Sequence, residues 1–212
     1  PMQNERYVNI VNRPAFCSRG GYMRYKPGHK EEKRKALLKA SGSLAKQNGF
    51  AATGVDALMQ TAGVTSGAFY GHFASKTELF AALIESEVQA SCAMWQNNPQ
   101  ESIDAWIDYT LNQYLGMRHI KHPEAGCVLP ALLPEIGRAD DTTKAVFERE
   151  ILKGLDALAL RLGSSELAWG FVSQLIGAVQ LARAVPDDAT QEKIMAASKR
   201  FLKAALDQAA VK

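Results

Sequence analysis

The chain has 212 residues, 47% of them hydrophobic, which is enough to bury one large core or two small ones. No apolar run approaches the roughly 20 residues that cross a bilayer, and the amino terminus lacks the hydrophobic core of a signal peptide. We therefore expect a cytoplasmic protein that does not enter a membrane.

Its three cysteines, Cys17, Cys92 and Cys127, are an odd number without metal-finger spacing, which argues against a disulfide framework.

The formal net charge of +3 conceals an uneven distribution along the chain. Residues 24–80 carry nine Lys or Arg against four Asp or Glu, whereas residues 81–212 carry 13 against 17. A basic segment joined to an acidic body is typical of a phosphate-binding module attached to a domain that does not touch DNA. The alternative is an unevenly charged surface with no nucleic-acid partner.

The first segment of the chain has no sustained hydrophobic periodicity. Its Pro, Gly, Asn and Arg content predicts a flexible basic arm over residues 1–28. Met23 is a candidate natural start, in which case Arg24 and Lys26 belong to the arm proper. An apolar stripe then predicts a helix over residues 31–48 that ends at Gly49.

Two short helices around a tight turn are predicted within Thr53–Lys76. Apolar residues at spacing i, i+3, i+4 and i+7 mark the first helix, and Gly63 ends it. Thr65 and Ser66 can each cap the second helix, whose buried face is supplied by Phe69 and Phe73. The remaining surface is small or polar, which lets a helix backbone approach base edges and phosphates closely. The pattern therefore predicts a helix-turn-helix that reads DNA.

The rest of the chain is predicted to be helical throughout, without strand alternation. The S-x-x-E sequence from Ser75 to Glu78 is a capping box that opens a long helix ending near residues 97–99. Further breaks are expected near residues 121–126, 137–141, 163–165 and 186–189. Pro130 and Pro134 predict a broken or kinked helix that forms the wall of a pocket.

The segment over residues 166–185 is apolar nearly all round, so we expect it to be buried on two sides. One side belongs to the core of the chain, and the other is expected to meet a second subunit. Together with the final helix, over residues 190–208, it predicts a four-helix interface in a homodimer.

These features together resemble the TetR family of bacterial transcriptional regulators. The resemblance is specific over residues 31–85, where it rests on Gly49-Phe50, Thr53, Gly63-Val64, Phe69-Tyr70-x-His72-Phe73 and Ser75-Lys76. It is looser over the carboxy-terminal half, through Gly126-Cys127 and the LIGAVQLARAV stretch. It implies an all-α fold, with a three-helix helix-turn-helix DNA-binding domain over residues 29–76 and a larger helical ligand-binding and dimerisation domain over residues 77–212.

The resemblance also implies partners and contacts. The partners are double-stranded operator DNA of palindromic sequence, a second copy of the chain, and a small-molecule inducer that releases the DNA. The residues expected to hold phosphates are Thr53, Tyr70, His72 and Lys76, and those nearest the bases are Thr65, Ser66, Gly67 and Ala68. Because Gly67 and Ala68 offer no side-chain donor, Arg24 and Lys26 of the arm are expected to compensate.

An apolar or aromatic ligand is expected in the carboxy-terminal domain. The candidate lining residues are aromatic side chains with a few polar tips: Trp106, Tyr109, Tyr114, Cys127, Phe147, Trp169, Phe171 and Gln174. Glu135 is the most suggestive charge nearby, although the solvated end of a helix is the simpler interpretation.

Other chemistry is weakly supported. Ser43 and Lys46 match the S-x-x-K sequence of penicillin-binding enzymes, but they lie in the middle of a helix and the companion motifs are missing. We therefore expect no enzyme activity and no cofactor. Two alternatives stay open: a metal sensor through His119, His122 and Cys127, with Glu124 close by, and a redox or electrophile sensor through Cys127.

Overall fold

A computed structural model describes residues 29–210, which are helical with no strand in that range. The elements are α1 (His29–Asn48), α2 (Val55–Thr61), α3 (Ser66–Phe69), α4 (Lys76–Gln96), α5 (Ile103–Tyr114), α6 (Met117–Lys121), a 3₁₀ turn (Pro123–Ala125), α7 (Leu129–Gly137), α8 (Asp141–Leu162), α9 (Ser165–Arg183) and α10 (Asp188–Ala210). The predicted all-α fold is confirmed. Arg24 and Lys26 of the predicted arm lie outside the described residues.

The first three helices form a small unit whose turns are set by glycine. Gly49 and Gly63 have φ values of +81° and +67°, in the left-handed region that side chains other than glycine rarely adopt. Gly49 ends α1, and Phe50 then folds inward and stacks on Phe80 of α4 with ring centroids 4.4 Å apart. The first two turns of α4 therefore share a core with the helix-turn-helix.

The start of α4 carries the expected cap with one difference. The Ser75 hydroxyl accepts a hydrogen bond from the Glu78 amide at 3.1 Å, as in a capping box. The Glu78 carboxylate, however, accepts from the amide of Ala74 at 2.6 Å, one residue before the expected partner. From this cap α4 runs without interruption to Gln96 and packs along α8.

The carboxy-terminal helices break where glycine, proline and capping residues predict. Two findings differ from expectation. Gly116 precedes a separate short helix, α6, and α7 runs unbroken through both prolines. Pro130 lies in its first turn, where no intrahelical amide donor is needed. Four residues of α7 are buried in the core: Leu129, Pro130, Leu132 and Ile136.

The last two long helices pack on each other and leave one face exposed in the protomer. The inner side of α9 is buried, with Phe171 and Leu175 each 1% exposed. Its outer side carries Trp169 and Leu181, and α10 adds Phe201, which is 63% exposed. This is the face on which the sequence predicts a second subunit.

Candidate DNA-binding surface, ligand cavity and domain junction

The predicted recognition helix is a single turn mounted on two buried rings. The Thr65 hydroxyl caps α3 by accepting the amide of Ala68 at 3.3 Å. Phe69 and Phe73 are each 1% exposed, with ring centroids 6.0 Å apart, so they fix the turn to the core. The helix begins at the main chain of Ser66. Tyr70, which follows the last residue of the helix, is 72% exposed.

The outer surface of α3 and its cap is formed by small residues. Thr65 and Gly67 are exposed, while Ala68 is half-buried. His72 is also half-buried, and its Nδ1 atom has no hydrogen-bond partner among residues 29–210. Because that nitrogen is inaccessible, a phosphate contact from His72 would have to use Nε2.

Thr53 occupies a different place from the one expected. Its side chain is buried, and its hydroxyl donates to the carbonyl of Gly49 at 2.6 Å. The hydroxyl therefore closes the turn between α1 and α2, four residues back along the chain. We remove the Thr53 side chain from the predicted phosphate contacts for this reason.

Two cations flank the recognition turn. Lys76 donates from Nζ to the carbonyl of Ala51 at 3.1 Å and lies 5.0 Å above the ring of Phe50. An ammonium has three donors, so this contact leaves others available. Arg34, on α1, stacks its guanidinium 4.8 Å from the Phe73 ring. Sequence reasoning missed Arg34, and its signal was the run Lys33-Arg34-Lys35 on the amphipathic helix α1.

A cavity of about 320 Å³ lies between α4 and α5. Its lining contains no charged side chain and consists of Ala90, Ala93, Met94, Trp95, Asn97, Tyr109, Thr110, Gln113 and Tyr114. Two of the eight predicted ligand-binding residues, Tyr109 and Tyr114, are brought together here. Trp106 lies in a neighbouring cleft of about 220 Å³ with Trp95, and Arg161 sits 5.8 Å from its ring.

The remaining predicted lining residues do not converge on this cavity. Phe171 and Gln174 face a groove of about 790 Å³ between α9 and α10, where the amide of Gln174 donates to Ser198 at 3.4 Å. Trp169 is exposed on the outer side of α9, and Phe147 packs against the core from α8. The predicted set was drawn from aromatic character, which does not indicate the direction in which a helix face points.

Cys127 and His119 belong to a buried network. His119 Nδ1 is 2.8 Å from the carbonyl of Tyr114, and its Nε2 is 3.1 Å from the amide of Cys127. Since an amide can only donate, Nε2 accepts and Nδ1 carries the proton of a neutral ring. Burial lowers the pKa of His119, which favours the same neutral form.

The metal alternative is not supported by this arrangement. Both ring nitrogens of His119 are used by the main chain, and Cys127 is 2% exposed. His122 turns toward Glu124 at 3.2 Å on the surface. Within residues 29–210 no three His, Cys, Asp or Glu side chains are grouped so that they could hold a metal ion.

The two domains are joined by polar contacts that involve main-chain groups. Glu135 of α7 accepts the amide of Phe50 at 3.0 Å and that of Ala51 at 2.7 Å. Lys46 of α1 pairs with Glu87 at 2.8 Å and donates to the carbonyl of Gly126 at 3.1 Å. Glu135 is therefore not a solvated helix end, since its carboxylate binds the turn that precedes the helix-turn-helix.

Residues 37–83 match the family model described as bacterial regulatory proteins, tetR family. The amino-terminal domain belongs to the TetR family. The resemblance predicted from the sequence is thus confirmed for this part of the chain, whose helix-turn-helix is of the TetR type. No curated protein sequence matches the chain.

Several solved structures share the fold over most of the chain. NemR of E. coli, in its reduced form, is 20% identical with a TM-score of 0.68, covering 81% of this chain and 95% of that one. A TetR-family regulator from Cytophaga hutchinsonii is 15% identical with a TM-score of 0.70, covering 82% and 95%. One from Agrobacterium tumefaciens is 19% identical with a TM-score of 0.65, covering 81% and 98%. In residues 29–210 no helix is long and apolar enough to cross a membrane.

Proposed function

We propose that the protein is a ligand-responsive transcriptional regulator, a repressor that binds a palindromic operator as a homodimer and releases it when a small molecule binds. The observation that carries this proposal is the capped recognition turn α3. Its outer face consists of small residues, and the buried rings of Phe69 and Phe73 fix it to the core of a TetR-family domain. The proposal includes no catalytic step, and operator binding implies work in the cytoplasm.

The DNA contacts divide into two kinds. Thr65, Gly67 and the main chain at Ser66 and Ala68 are proposed to approach base edges, because the side chains described there are small. Tyr70, His72 and Lys76 are proposed to hold phosphates on either side. With few side-chain donors at the bases, part of the specificity is assigned to DNA shape.

A homodimer is supported by the exposed apolar side chains of α9 and α10. Large apolar side chains that share one exposed face mark interaction surfaces. A two-fold pair would place its recognition turns about 34–36 Å apart, in successive major grooves of a palindromic operator.

The inducer is proposed to bind the cavity between α4 and α5. Two tyrosines, a tryptophan and several amide and hydroxyl groups line it without any charge, so the fitting ligand is an uncharged aromatic or lipophilic compound with a few hydrogen-bonding groups. A compound that binds the non-operator conformation about a thousandfold more tightly shifts the equilibrium by about 4 kcal/mol. The cavity wall includes Trp95 of α4, the helix that also enters the DNA-binding domain.

A mobility-shift experiment tests the DNA-binding part. DNA from upstream of the protein's own gene should be retarded at nanomolar protein and moderate salt, in preference to a scrambled fragment of equal length. Equal affinity for both fragments would contradict the proposal. A panel of uncharged planar aromatic compounds should contain members that release the fragment, and Ala93→Phe, which fills the cavity, should abolish that release while DNA binding persists.

Thiol sensing through Cys127 has less support. The thiol is buried, and burial raises the pKa of the nearby Cys92 to about 11, which keeps that second cysteine protonated. If Cys127→Ser protein no longer releases its DNA on treatment with hydrogen peroxide, whereas the parent protein does, the sensor alternative would replace the ligand-based one.

A further inference from the structure

The orientation of the DNA-binding domain depends on how many separate attachments join it to the rest of the chain. α4 is the first attachment, since it begins beside the helix-turn-helix and packs along α8. A domain carried on one helix alone can still rotate about that helix. Attachments away from that helix restrict this rotation, and one of them is the bond from Lys46 of α1 to the Gly126 carbonyl at 3.1 Å.

Glu135 supplies such an attachment by binding main-chain groups. Its two carboxylate oxygens accept the adjacent amides of Phe50 and Ala51 at 3.0 and 2.7 Å. Hydrogen bonds from neutral donors to an ionised acceptor are stronger than those between neutral groups. Because the two bonds go to successive amides, they fix both the distance and the direction of the Phe50–Ala51 segment relative to the carboxylate.

The residues around this contact are shaped to admit the carboxylate. A Cβ atom at Gly49 would lie 2.9 Å from one Glu135 oxygen, so the glycine leaves room for it, and its φ of +81° turns the chain there. On the other side of the same segment, the Ala51 carbonyl accepts Lys76 Nζ at 3.1 Å. The turn after α1 is therefore held by a carboxylate of one domain and by the lysine that begins α4.

We propose that Glu135 is a positioning residue for operator recognition: it fixes the rotation of the helix-turn-helix relative to the dimer body and so sets the spacing of the two recognition turns. This inference rests on the proposed function, in which a two-fold dimer binds a palindrome. Loss of the carboxylate leaves each domain folded and still joined through α4 and the Lys46–Gly126 bond, but it loosens the angle between the two domains. The dimer then loses affinity for the correct spacing and becomes more tolerant of incorrect ones.

The test compares the parent protein with Glu135→Ala and Glu135→Gln. The DNA is the palindrome mapped within the upstream fragment, the same palindrome with one base pair inserted at its centre, and a scrambled duplex. Glu135→Ala should bind the natural palindrome about tenfold more weakly than the parent protein. Its insertion penalty, the fold-loss of affinity caused by the inserted base pair, should be smaller than the parent's. Its affinity for the scrambled duplex should be unchanged. Glu135→Gln, which keeps one acceptor and places a donor against the second amide, should fall between the two.

Glu148→Ala is the matched control. Glu148 is an exposed carboxylate of the same domain that forms no ion pair or hydrogen bond with another side chain among residues 29–210. It should retain the parent affinities and the parent insertion penalty. Circular dichroism and thermal unfolding of each variant separate loss of orientation from loss of folding.

Two results would overturn the inference. One is an insertion penalty equal to that of the parent in both Glu135 variants. The other is equal weakening on all three duplexes together with a lower unfolding temperature, which would make Glu135 a stability residue. If the parent protein itself does not prefer its palindrome, the proposed function fails, and this inference fails with it.

Discussion

At the scale of single residues, Lys76 makes a hydrogen bond within the protein and is also proposed to contact a DNA phosphate. It bonds to the Ala51 carbonyl while remaining at the edge of the recognition turn. Because the DNA partner of an ammonium is a phosphate, Lys76→Ala should weaken binding to every DNA sequence and reduce the salt-dependence slope by about one. Anisotropy titrations at several salt concentrations measure this. Lys199→Ala, which removes a half-buried cation bound to Asn112 in the carboxy-terminal part of the chain, should leave the slope unchanged.

An unchanged slope in Lys76→Ala would show that the side chain acts only within the protein. Lys76→Arg, which keeps the charge, should restore most of the affinity if the contact is electrostatic.

Gly49 is the residue at which backbone conformation and domain contact meet. Gly49→Ala should lower the free energy of unfolding by about 1–2 kcal/mol, because an L side chain is strained in the left-handed region, and its Cβ atom would press on Glu135. Gly54→Ala is the control, since Gly54 has a φ of −70° and open space around it. That control should change stability by less than about 0.5 kcal/mol in urea unfolding. Equal effects at both positions would remove the conformational argument.

At the scale of helices, Glu150 links α8 to α4. Its carboxylate accepts hydrogen bonds from Gln89 at 2.9 Å, Arg149 at 2.7 Å and Lys153 at 2.9 Å. Burial alone would raise the pKa of Glu150, but these bonds outweigh it and lower the pKa to about 2 from an ordinary value of 4.5. The stabilisation is therefore complete above pH 4.5 and is lost as the pH falls toward 2.

The expected outcome is a pH-dependent difference between variants. Between pH 5 and pH 3 the parent protein should lose more unfolding free energy than Glu150→Gln, measured by urea titration at each pH. Glu148→Gln, at an exposed position of the same helix, should keep the parent slope. Parallel profiles for the parent and Glu150→Gln would contradict the assignment.

Helix boundaries were largely predictable because their signals are local. Gly63, the Ser75 cap and the left-handed Gly163 each act through their own backbone and near neighbours. The recognition turn was predictable for the same reason. What the sequence could not indicate was which helix faces meet, so Tyr109 and Tyr114 line one cavity while Phe171, predicted to join them, lines a different groove.

Contacts to the main chain were the hardest to anticipate. The partners of Glu135 are amides, which every residue except proline possesses, so no side-chain pattern marks them. Thr53 is a similar case, because its hydroxyl donates to a carbonyl four residues back along the chain. Both cases required the fold before the partner could be named.

At the scale of the whole molecule, the exposed faces of α9 and α10 give a prediction about assembly. Leu181 of α9 is 57% exposed, and Leu160, which lies on the different helix α8, is 88% exposed. Leu181→Glu should convert the proposed dimer to monomers in sedimentation experiments. Operator affinity should fall by about 100-fold or more, because two linked DNA-binding domains bind far more tightly than separate ones. Leu160→Glu should remain a dimer with the parent affinity.

A dimeric Leu181→Glu protein would move the interface elsewhere on the molecule. A monomeric Leu160→Glu protein would do the same, because its leucine lies on a different helix.

The junction at Glu135 also bears on how such a regulator can diversify. Since the carboxylate binds amides and not side chains, exposed residue 51 can change identity, proline aside, without losing the contact, whereas Phe50 is also held by its stacking on Phe80. If Glu135 positions the helix-turn-helix as proposed, a helix-turn-helix with another DNA preference that keeps Phe50 and these amides can be joined to the same body at the same angle. Under that proposal, operator preference and ligand response can evolve separately, while Glu135, Lys46 and α4 preserve the connection between the two parts.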